Sequence, residues 1–372
     1  MLKIGNICKF QSGGTPSKKN PEYYNGNIPW ITTVSLIDNY IDENNAVEYI
    51  TSEAIKNSAA KIVPKDSIMI GTRVGIGKTA INCVEMSTSQ DIVSLIDIDE
   101  NRWNKCFLCL FFKSKRKYLL SQSRGATIKG IKIDTISNLE LPTYSIDEQK
   151  EIVSTLDTLQ SIITHRRTQL EKLDLLIKAR FVEMCNANPS CNLLSEFISK
   201  YNAERCGERD LPVLSITKNA GIVLQSEKFS KRIASIDSST YKIVPRGKLV
   251  QGIHIDERNF DIQDVVDLGI VSPAYKIWSV NDEKCIPKVL AFALRTDKTM
   301  EYIKSKFTGS VKRRESISYE DFMNTPIDLP SYNVQTQFAD FVKQVDKSKA
   351  TVQKALDEAQ LLFDSLMQEY FG

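Results

Sequence analysis

A glycine-rich loop with two basic residues is the first part of this chain whose residue types could do chemistry. Residues 71–79 read Gly-Thr-Arg-Val-Gly-Ile-Gly-Lys-Thr, which is close to a P-loop that holds nucleotide phosphates. The first glycine comes one residue too early for that motif, and residues 80–84 have the pattern of a strand where the motif needs a helix. A bound nucleotide is therefore not expected. Arg73 and Lys78 in such a loop would instead suit contact with the backbone of a nucleic acid.

Two further patterns are only loosely similar to catalytic sites. Asp134 precedes residues 148–150 (Glu-Gln-Lys) at the spacing of a restriction nuclease, but the second element begins a capped helix rather than lying on a strand. Residues 20–23 (Asn-Pro-Glu-Tyr) differ by one residue from an amino-methyltransferase signature and have no methyl-donor loop before them. His165 and His254 are the only histidines, and neither has a neighbour at metal-ligand spacing. We therefore expect no catalytic residue and no metal in this chain.

An internal repeat provides the elements that must position these residues. The run Lys-Ile-Val-Pro at residues 61–64 returns at residues 242–245, and both runs lead to a glycine, Gly71 and Gly252. The remaining matches are residues 7–10 with 198–201 and residues 141–144 with 329–332. The copies lie 181 to 191 positions apart, so we expect two related modules. Two copies of one DNA-reading module would read two half-sites.

Each module is expected to be a mixed α/β segment that leads into one long helix. Ser145 and Glu148 form a capping box, and apolar residues behind it recur three and four apart, as in a coiled-coil seam. With the second copy placed 189 positions later, the two helices are expected to pair antiparallel, with Ile163 facing Ala359. Because each module precedes its helix, the last helix would return to the first module. The predicted seam is Leu156, Leu159, Ile163, Arg166, Leu170, Leu173 and Ile177 on one helix and Val345, Ser348, Val352, Ala355, Ala359, Leu362 and Leu366 on the other.

The composition is that of a globular protein. Of the 372 residues, 42% are hydrophobic and 26% are charged, and the net charge of +3 is too small to indicate nucleic-acid binding by itself. No apolar stretch approaches the ~20 residues that a membrane helix needs. The eight cysteines, in a chain without a recognisable signal peptide, are expected to be reduced. These features predict a cytoplasmic protein that does not bind a membrane.

In combination, the motifs resemble the specificity subunit of type I restriction–modification systems (HsdS). Residues 13–17 (Gly-Gly-Thr-Pro-Ser) and 28–31 (Ile-Pro-Trp-Ile) are similar to the opening of a target recognition domain in that family. Further similar segments are residues 20–24, 75–78 and 272–275, and residues 141–142 with 147–149 at the start of the conserved helix. The second copy departs from the pattern, since it lacks the Gly-Thr-Pro and Pro-Trp motifs and begins its helix with Asn-Val-Gln-Thr at residues 333–336.

The resemblance implies a fold, a function and partners. The fold would be α/β (α+β), with two pseudo-symmetric target recognition domains at residues 1–144 and 187–331. An antiparallel pair of long coiled-coil-like helices, residues 145–186 and 332–372, would join them. Each domain would read one part of a bipartite, asymmetric site in double-stranded DNA, and the helices would dock two methyltransferase subunits. Restriction subunits would join this complex. S-adenosylmethionine, ATP and magnesium would belong to the partners, with no cofactor in this chain.

The DNA contacts are predicted from charge and from position in loops. They are Thr32, Thr33, Arg73, Lys78, Lys129 and Lys132 in the first domain and Lys218, Arg232, Arg258, Arg313 and Arg314 in the second. Two alternatives stay open. The chain could be the recognition portion of a fused restriction–methylation enzyme, or it could be a scaffold of tandem modules that binds proteins and no DNA.

Overall fold

The computed structural model describes residues 2–37, 39–125, 129–187, 190, 192–217, 221–228, 238–307 and 317–372. The chain forms two compact units. The first unit consists of Met1–Thr168 together with Gln353–Gly372, and the second unit consists of Gln169–Val352. Each unit therefore contains one module of the repeat and a part of both long helices, whereas the sequence-based division placed each helix in a segment of its own.

The first unit is built around two sheets. Its strands are β1 (Leu2–Lys3), β2 (Lys9–Ser12), β3 (Tyr24–Ile31), β4 (Tyr40–Ile41), β5 (Glu48–Ile50), β6 (Ile62–Val63), β7 (Ile68–Gly71), β8 (Thr79–Asn82), β9 (Met86–Thr88), β10 (Ile92–Ile96) and β11 (Glu140–Leu141). The strand orders are β2-β10-β7-β8-β4 and β5-β3-β9-β6, and β1 pairs with β11. Runs of β-branched and other apolar residues make the central strands β7 and β10 almost wholly buried.

Short helices pack on the two sheets of the first unit. They are α1 (Ser52–Asn57), α2 (Lys105–Ser114), α3 (Arg116–Ser121) and α4 (Ile133–Ser137), followed by the long helix α5 (Ile146–Ala187). Helix α1 lies against β3 and α2 against β8. In α2 the apolar run from Phe107 to Phe112 is buried throughout and belongs to the core. Asn104 caps this helix by accepting a hydrogen bond of 3.1 Å from the backbone N–H of Phe107.

The second unit repeats this plan with shorter strands. They are β12 (Asn192–Leu193), β13 (Ile198–Lys200), β14 (Leu214–Thr217), β15 (Gly221–Leu224), β16 (Lys242–Pro245), β17 (Leu249–Gln251), β18 (Phe260–Ile262), β19 (Leu268–Val271), β20 (Lys276–Val280) and β21 (Pro326–Ile327). The helices are α6 (Gln225–Lys228), α7 (Pro287–Leu294), α8 (Asp297–Ser305), α9 (Tyr319–Met323) and the long α10 (Tyr332–Phe371). The order β13-β20-β17-β18 corresponds to β2-β10-β7-β8 in the first unit. The predicted repeat of α/β modules is thus confirmed.

The long helices run antiparallel inside each unit. In the second unit Lys349 forms an ion pair of 2.6 Å with Asp174, and Phe338 packs edge-on against Phe181. In the first unit Arg167 donates a hydrogen bond of 3.3 Å to the side chain of Gln360. The predicted capping box at the start of α5 is present, because Ser145 N–H donates to Glu148 at 2.7 Å and Glu148 N–H donates to Ser145 at 3.3 Å.

A buried glutamine fixes the true correspondence of the two helices. Gln149 accepts a hydrogen bond of 2.9 Å from the backbone N–H of Asn104, the residue before α2. Gln335 accepts one of 2.8 Å from the backbone N–H of Ile286, the residue before the equivalent helix α7. The two glutamines lie 186 positions apart. Gln335 therefore makes the same contact as Gln149. It does so although its segment, residues 333–336, departs from the family pattern in sequence.

The predicted offset of 189 positions is consequently wrong by three, and the seam of α10 shifts with it. Leu362 is 49% exposed and Ser348 is also exposed, while Phe363 and Leu356 are buried in their place. Because seam positions alternate three and four apart, a shift of three leaves about half of them unchanged. Of the other predicted seam residues of α10, Val345 and Val352 are buried, and Ala355, Ala359 and Leu366 are half-buried. On α5 the buried seam residues are Leu156, Ile163 and Ile177. The half-buried ones are Leu159, Arg166, Leu170 and Leu173.

The end of α10 packs on the first module. The ring of Phe371 lies 5.1 Å from that of Phe107 and 6.2 Å from that of Phe111. Lys115 donates a hydrogen bond to the carbonyl of Phe371, which satisfies one of the free carbonyls at a helix C-terminus. The last helix thus returns to the first module, as the order of the repeat predicted.

Candidate nucleic-acid interface

The glycine-rich loop of the first unit is a tight turn between β7 and β8. Gly71 N–H donates to the carbonyl of Lys78 at 2.9 Å, and Gly77 N–H donates to the carbonyl of Gly71 at 2.9 Å. Gly75 and Gly77 have φ angles of 69° and 74°, which side chains rarely adopt. A strand follows the loop where a P-loop would need a helix, so the expectation of no nucleotide site rests on geometry as well as on spacing.

Basic side chains gather in a cleft next to this loop. The cleft has a volume of about 470 Å³ and is lined by Arg73, Gln122, Arg124, Gly130, Ile131, Lys132 and Thr135. Arg124 and Gly130 exchange two backbone hydrogen bonds of 3.0 Å, and Ile131 N–H donates to the carbonyl of Thr72 at 2.8 Å. These bonds hold the segment that carries Arg124 and Lys132 against the loop that carries Arg73.

One carboxylate, that of Asp91, lies close to the cleft and pairs with Arg73. Asp91 lies 3.6 Å from the guanidinium of Arg73, and the backbone carbonyl of Asp91 accepts a bond of 2.8 Å from Thr72 N–H. The side chains of Arg124, Lys129 and Lys132 have no carboxylate partner among the described residues. The cleft therefore presents an excess of positive charge with arginine forks, which suits phosphates and guanine edges.

Two of the predicted contacts of the first unit lie on the glycine loop or beside it. Arg73 is exposed and lines the cleft. Lys78 is half-buried, with its aliphatic stem against Gly75, where a Cβ would come within 3.0 Å of Lys78 Cδ. Lys129 and Lys132 are exposed on the segment that follows Arg124. Of these four residues, the structure brings Arg73 and Lys132 together in the cleft.

The prediction for Thr33 must be corrected. Thr33 is only 3% exposed, and its methyl group lies against Gly71 in the core beneath the loop. A side chain in that position cannot reach a base edge unless the core opens. Thr32 is half-buried at the end of β3 and stays a predicted contact.

In the second unit, four of the five predicted contacts cannot be placed. Lys218, Arg232, Arg313 and Arg314 lie outside the described residues. Arg258 is described, and its guanidinium already has partners within the protein. It forms an ion pair with Asp297 and donates a hydrogen bond of 2.8 Å to the carbonyl of Arg295. Hydrogen bonding and the positive charge of Arg258 lower the pKa of Asp297. Arg258 is thus a structural residue rather than a free DNA contact.

Arg258 stands where the first unit has a glycine. Gly252 N–H donates to Asn259 O at 2.8 Å, just as Gly71 N–H donates to Lys78 O, so the loops at residues 71–78 and 252–259 correspond. Arg258 has a φ of 64°, close to the 74° of the equivalent Gly77. This loop carries the acidic residues Asp256 and Glu257, so the second unit does not place its positive charge here.

A basic cleft that sequence reasoning missed lies in the second unit. It has a volume of about 480 Å³ and is lined by Lys200, Tyr201, Asn202, Ala203, Lys242, Lys276, Ile277, Trp278 and Tyr319. The three lysines come from β13, β16 and β20, which are far apart in the sequence. Strands β13 and β20 pair with one another, whereas Lys242 of β16 is held at the cleft by its hydrogen bond to the carbonyl of Tyr275, the residue before β20. No local signal in the sequence reveals this cluster.

The long helices carry a second kind of surface. Leu175 and Leu176 on α5 are 60% and 47% exposed, and Leu361 and Leu362 on α10 are 69% and 49% exposed. The two leucine pairs are 186 positions apart, the offset that the buried glutamines define. The same small apolar surface thus recurs at equivalent positions of the two long helices.

The other chemical patterns do not assemble into sites. Asp134 lies in α4, and Lys150 pairs at 3.2 Å with Asp147, its neighbour on α5. Over the residues that the structure describes, no group of three or more His, Cys, Asp or Glu side chains could hold a metal ion. The described cysteines are free thiols. No described helix is both long and apolar enough to cross a membrane.

Comparison with known proteins relates these features to one family. Residues 1–173 match the family described as type I restriction modification DNA specificity domain. Over 266 residues, the chain is 30% identical to the MjaIX specificity subunit of a type I restriction enzyme from Methanocaldococcus jannaschii, an alignment that covers 69% of this chain and 60% of that protein. It is 27% identical over 164 residues to the EcoR124I/EcoR124II specificity subunit from Escherichia coli, covering 43% of this chain and 40% of that protein.

Solved structures share the fold over the whole chain. A structure described as the basis of complex assembly and conformational transition of the type I restriction–modification system has a TM-score of 0.61 at 13% identity and covers 100% of this chain and 96% of its own. The S subunit of a type I system from M. genitalium has a TM-score of 0.52 at 14% identity, with coverages of 100% and 95%. The chain thus aligns with these folds almost end to end, but with less than two thirds of either curated relative named above.

Proposed function

Because the chain belongs to the family of type I restriction–modification DNA specificity subunits, we propose that it is the non-catalytic subunit that reads the DNA target of such a complex. Each unit reads one part of a bipartite, asymmetric site in double-stranded DNA. The chain itself supplies recognition, while methyl transfer and cleavage belong to other subunits. A cytoplasmic location, where the chain meets chromosomal and invading DNA, and a role in host defence belong to the same proposal.

The observation that carries this proposal is the arginine cleft of the first unit. Arg73, Arg124 and Lys132 converge from two segments that backbone hydrogen bonds hold together. Lysine and arginine on phosphates supply most of the affinity of a DNA-binding protein, and arginine forks can also read guanine. The cleft thus combines a basic rim with a rigid loop from which a side chain can reach into a groove.

The exposed leucine pairs support two equivalent partners. Leu175 with Leu176 and Leu361 with Leu362 occupy corresponding positions on α5 and α10. Equivalent surfaces bind equivalent proteins, so two copies of one methyltransferase subunit dock there. Restriction subunits join that assembly. S-adenosylmethionine, ATP and magnesium are bound by these partners in the proposal.

A genome-wide map of methylated bases tests the function most directly. The map is recorded in the source organism with the gene intact, with the gene deleted, and with the deletion complemented by an Arg73→Gln/Arg124→Gln variant. Loss of one bipartite methylated motif on deletion, with poor recovery by the variant, is the expected result. An unchanged map in cells that express the gene would overturn the proposal and favour the protein scaffold. A motif that disappears as a single undivided sequence would contradict the two-unit reading.

A further inference from the structure

The lysine cleft of the second unit is built to receive an anion. Lys200, Lys242 and Lys276 line one concave surface, and no carboxylate lines it within the described part of the chain. Lys242 donates a hydrogen bond of 2.7 Å to the carbonyl of Tyr275, which fixes its position. Lys200 and Lys276 have neither a hydrogen-bonded nor an ion-paired partner among the described residues. Two ammonium groups are therefore left free beside a third that is anchored.

The lysines repel one another in the free protein. Burial lowers the pKa of Lys242, and the charges of Lys200 and Lys276 lower it further. Burial also lowers the pKa of Lys276. Like charges that are held together in a partly buried site raise the free energy of the unliganded protein, and an anion placed between them removes that cost.

Aromatic side chains form rigid walls around the lysines. Trp278 is buried, and its indole N–H donates a hydrogen bond of 3.0 Å to Gln251. The exposed ring of Tyr319 stacks on Trp278 at 5.9 Å, and the ring of Tyr201 lies 4.6 Å from Nζ of Lys248. A cleft with fixed walls binds its ligand at a smaller entropic cost than a flexible surface does.

The position of the cleft relates it to the recognition loops of its unit. Lys276 pairs in register with Gln251, the residue directly before the loop that corresponds to the arginine-bearing loop of the first unit. Tyr319 begins α9, the counterpart of α4, and the arginine cleft is lined by Thr135 of α4 and by Lys132, the residue directly before that helix. The lysine cleft thus shares one bordering element with the arginine cleft, α9 in place of α4, and its other lining residues lie on and beside strands rather than on the loop that begins at Gly252.

The cluster is a property of the second unit alone. Strand register places Phe10 at the position of Lys200, so the sequence match of residues 7–10 with 198–201, which aligns Lys9 with Lys200, is wrong by one residue. Register also places Val93 at the position of Lys276, and only Lys61 matches a lysine, Lys242. Val93 is buried and Phe10 is half-buried in the first unit. The first unit places its positive charge on the glycine loop and on the segment before α4, whereas the second unit has acids on the corresponding loop and lysines on β13, β16 and β20.

We propose that Lys200, Lys242 and Lys276 form a site for the phosphate backbone of DNA that is specific to the second unit. The inference rests on the proposed DNA-binding function and assigns to the second unit an anchor that contributes affinity but no base preference. Lysine suits this task because it acts as a mobile point charge on phosphate, whereas planar arginine forks also read bases.

Duplex binding by the full-length chain as a function of salt tests the assignment. The Lys200→Gln/Lys276→Gln variant is compared with wild type and with Lys284→Gln/Lys347→Gln, which removes the same charge at exposed positions outside the cleft. Fluorescence anisotropy is measured on a duplex that carries the recognised motif and on one that does not. The salt slope of the cleft variant should fall by about 2 on both duplexes, because each lost phosphate contact removes about 1. The Lys200→Arg/Lys276→Arg variant should restore the slope.

The outcomes separate this inference from the function on which it rests. If wild type shows no salt-dependent binding to either duplex, the proposed function fails and the phosphate site falls with it. If wild type binds the motif but the cleft variant keeps the slope of the control, the function stands and the phosphate site is refuted. A changed slope on the motif duplex alone would make the lysines base-reading residues, which also contradicts the proposal.

Inorganic phosphate distinguishes the DNA backbone from a small phosphate ligand. Thermal unfolding of the DNA-free protein is measured in phosphate and in chloride at equal ionic strength. If phosphate stabilised wild type but not the cleft variant while the duplex slopes stayed equal, the cleft would hold a free phosphate compound and the DNA assignment would be overturned. A lower duplex slope, with or without stabilisation by phosphate, supports the backbone site.

Discussion

Gln149 and Gln335 make corresponding hydrogen bonds in the two units, although their surrounding sequences differ. Each accepts a bond from the backbone N–H that precedes a buried helix, and each donates to the carbonyl of a residue just before its own long helix, Tyr144 or Pro330, at 3.0 and 2.8 Å. Both side chains are almost completely buried. The amide of each glutamine thus links a module to its long helix. Its hydrogen bonds contribute strongly to stability because no water can replace them at a buried position.

Removal of either amide should destabilise the protein. Gln149→Leu keeps most of the side-chain volume but leaves the Asn104 N–H and the carbonyls of Arg102 and Tyr144 without this partner. The expected loss is about 1–3 kcal/mol in the free energy of unfolding, the usual cost of an unsatisfied buried group. Urea unfolding followed by circular dichroism measures it, and Gln344→Leu on the exposed face of α10 is the control. Equal midpoints for the two variants would refute the role of the joint.

Arg73 should contribute to DNA affinity more than another cation of the same unit does. Arg73→Gln removes one guanidinium from the arginine cleft, and we expect the salt slope of duplex binding to fall by about 1. Lys65→Gln is the matched control, because Lys65 lies in the turn before β7 and Arg73 lies in the loop after it. Anisotropy titrations at several salt concentrations compare the two. If both variants show the same slope, the cleft is not a phosphate contact.

The leucine pairs should each control the binding of one partner subunit. Leu175→Asp/Leu176→Asp is expected to leave one methyltransferase subunit bound, and so is Leu361→Asp/Leu362→Asp, because a buried carboxylate at an apolar interface is costly. Light scattering after size exclusion gives the mass of the complex. Ser154→Asp on α5 serves as the control for added charge on a long helix. Loss of both partners from a change in one pair would show that the two surfaces are not independent.

Arg258 should stabilise the protein in a pH-dependent way without contributing to DNA binding. The pKa of Asp297 is lowered by Arg258, so the stabilisation is present above the ordinary carboxyl pKa and is lost as the pH falls through the lowered value. Arg258→Met should therefore unfold at a lower temperature than wild type at pH 7, and the difference should shrink as the pH falls from about 5 to about 2. Arg205→Met is the control. Weaker DNA binding by a folded Arg258→Met variant would reinstate Arg258 as a contact.

Lys276 should oppose the stability of the DNA-free protein. Burial lowers its pKa, and its charge lowers that of Lys242, so the charged form is disfavoured in the folded state. This cost is present at neutral pH and disappears as the pH rises through the lowered pKa. Lys276→Met should therefore raise the unfolding temperature at pH 7 and have a smaller effect near about pH 10, the ordinary lysine range. Scanning calorimetry with Lys284→Met as the control measures this, and a lower unfolding temperature at pH 7 would contradict it.

The sequence predicted features that depend on neighbours along the chain. The capping box at Ser145 and Glu148, the strand after the glycine loop and the return of the last helix all follow from local patterns and from the order of a repeat. The offset between the helices was wrong because the seam spacing is nearly periodic. A shift of three residues still places apolar residues on the seam, so only a residue such as Gln335, with its fixed partner, determines the register.

The basic residues of the candidate site were predicted only where they lie in loops. Arg73, Lys129 and Lys132 are recognisable from charge and turn residues, whereas Thr33 faces the core because the chain turns directly after β3. Lys200 and Lys276 meet through antiparallel pairing of β13 with β20. Such long-range strand contacts leave no local trace in the sequence. Arg258 shows a third limit, since an exposed arginine in a loop can already be neutralised by an acid such as Asp297.

Because the first unit is made of two separate segments of the chain, the two units complete their folding in a fixed order during translation. Gln169–Val352 is one uninterrupted segment, so the second unit is complete as soon as it has been synthesised. The core of the first unit is complete only after Phe371 has been synthesised, because Phe371 packs on Phe107 and Phe111. At roughly 5–20 residues per second, translation of the intervening segment takes roughly 10–40 s. During that interval the nascent chain carries an uncovered aromatic surface, and a chaperone or an early-binding partner subunit would have its best opportunity to act there.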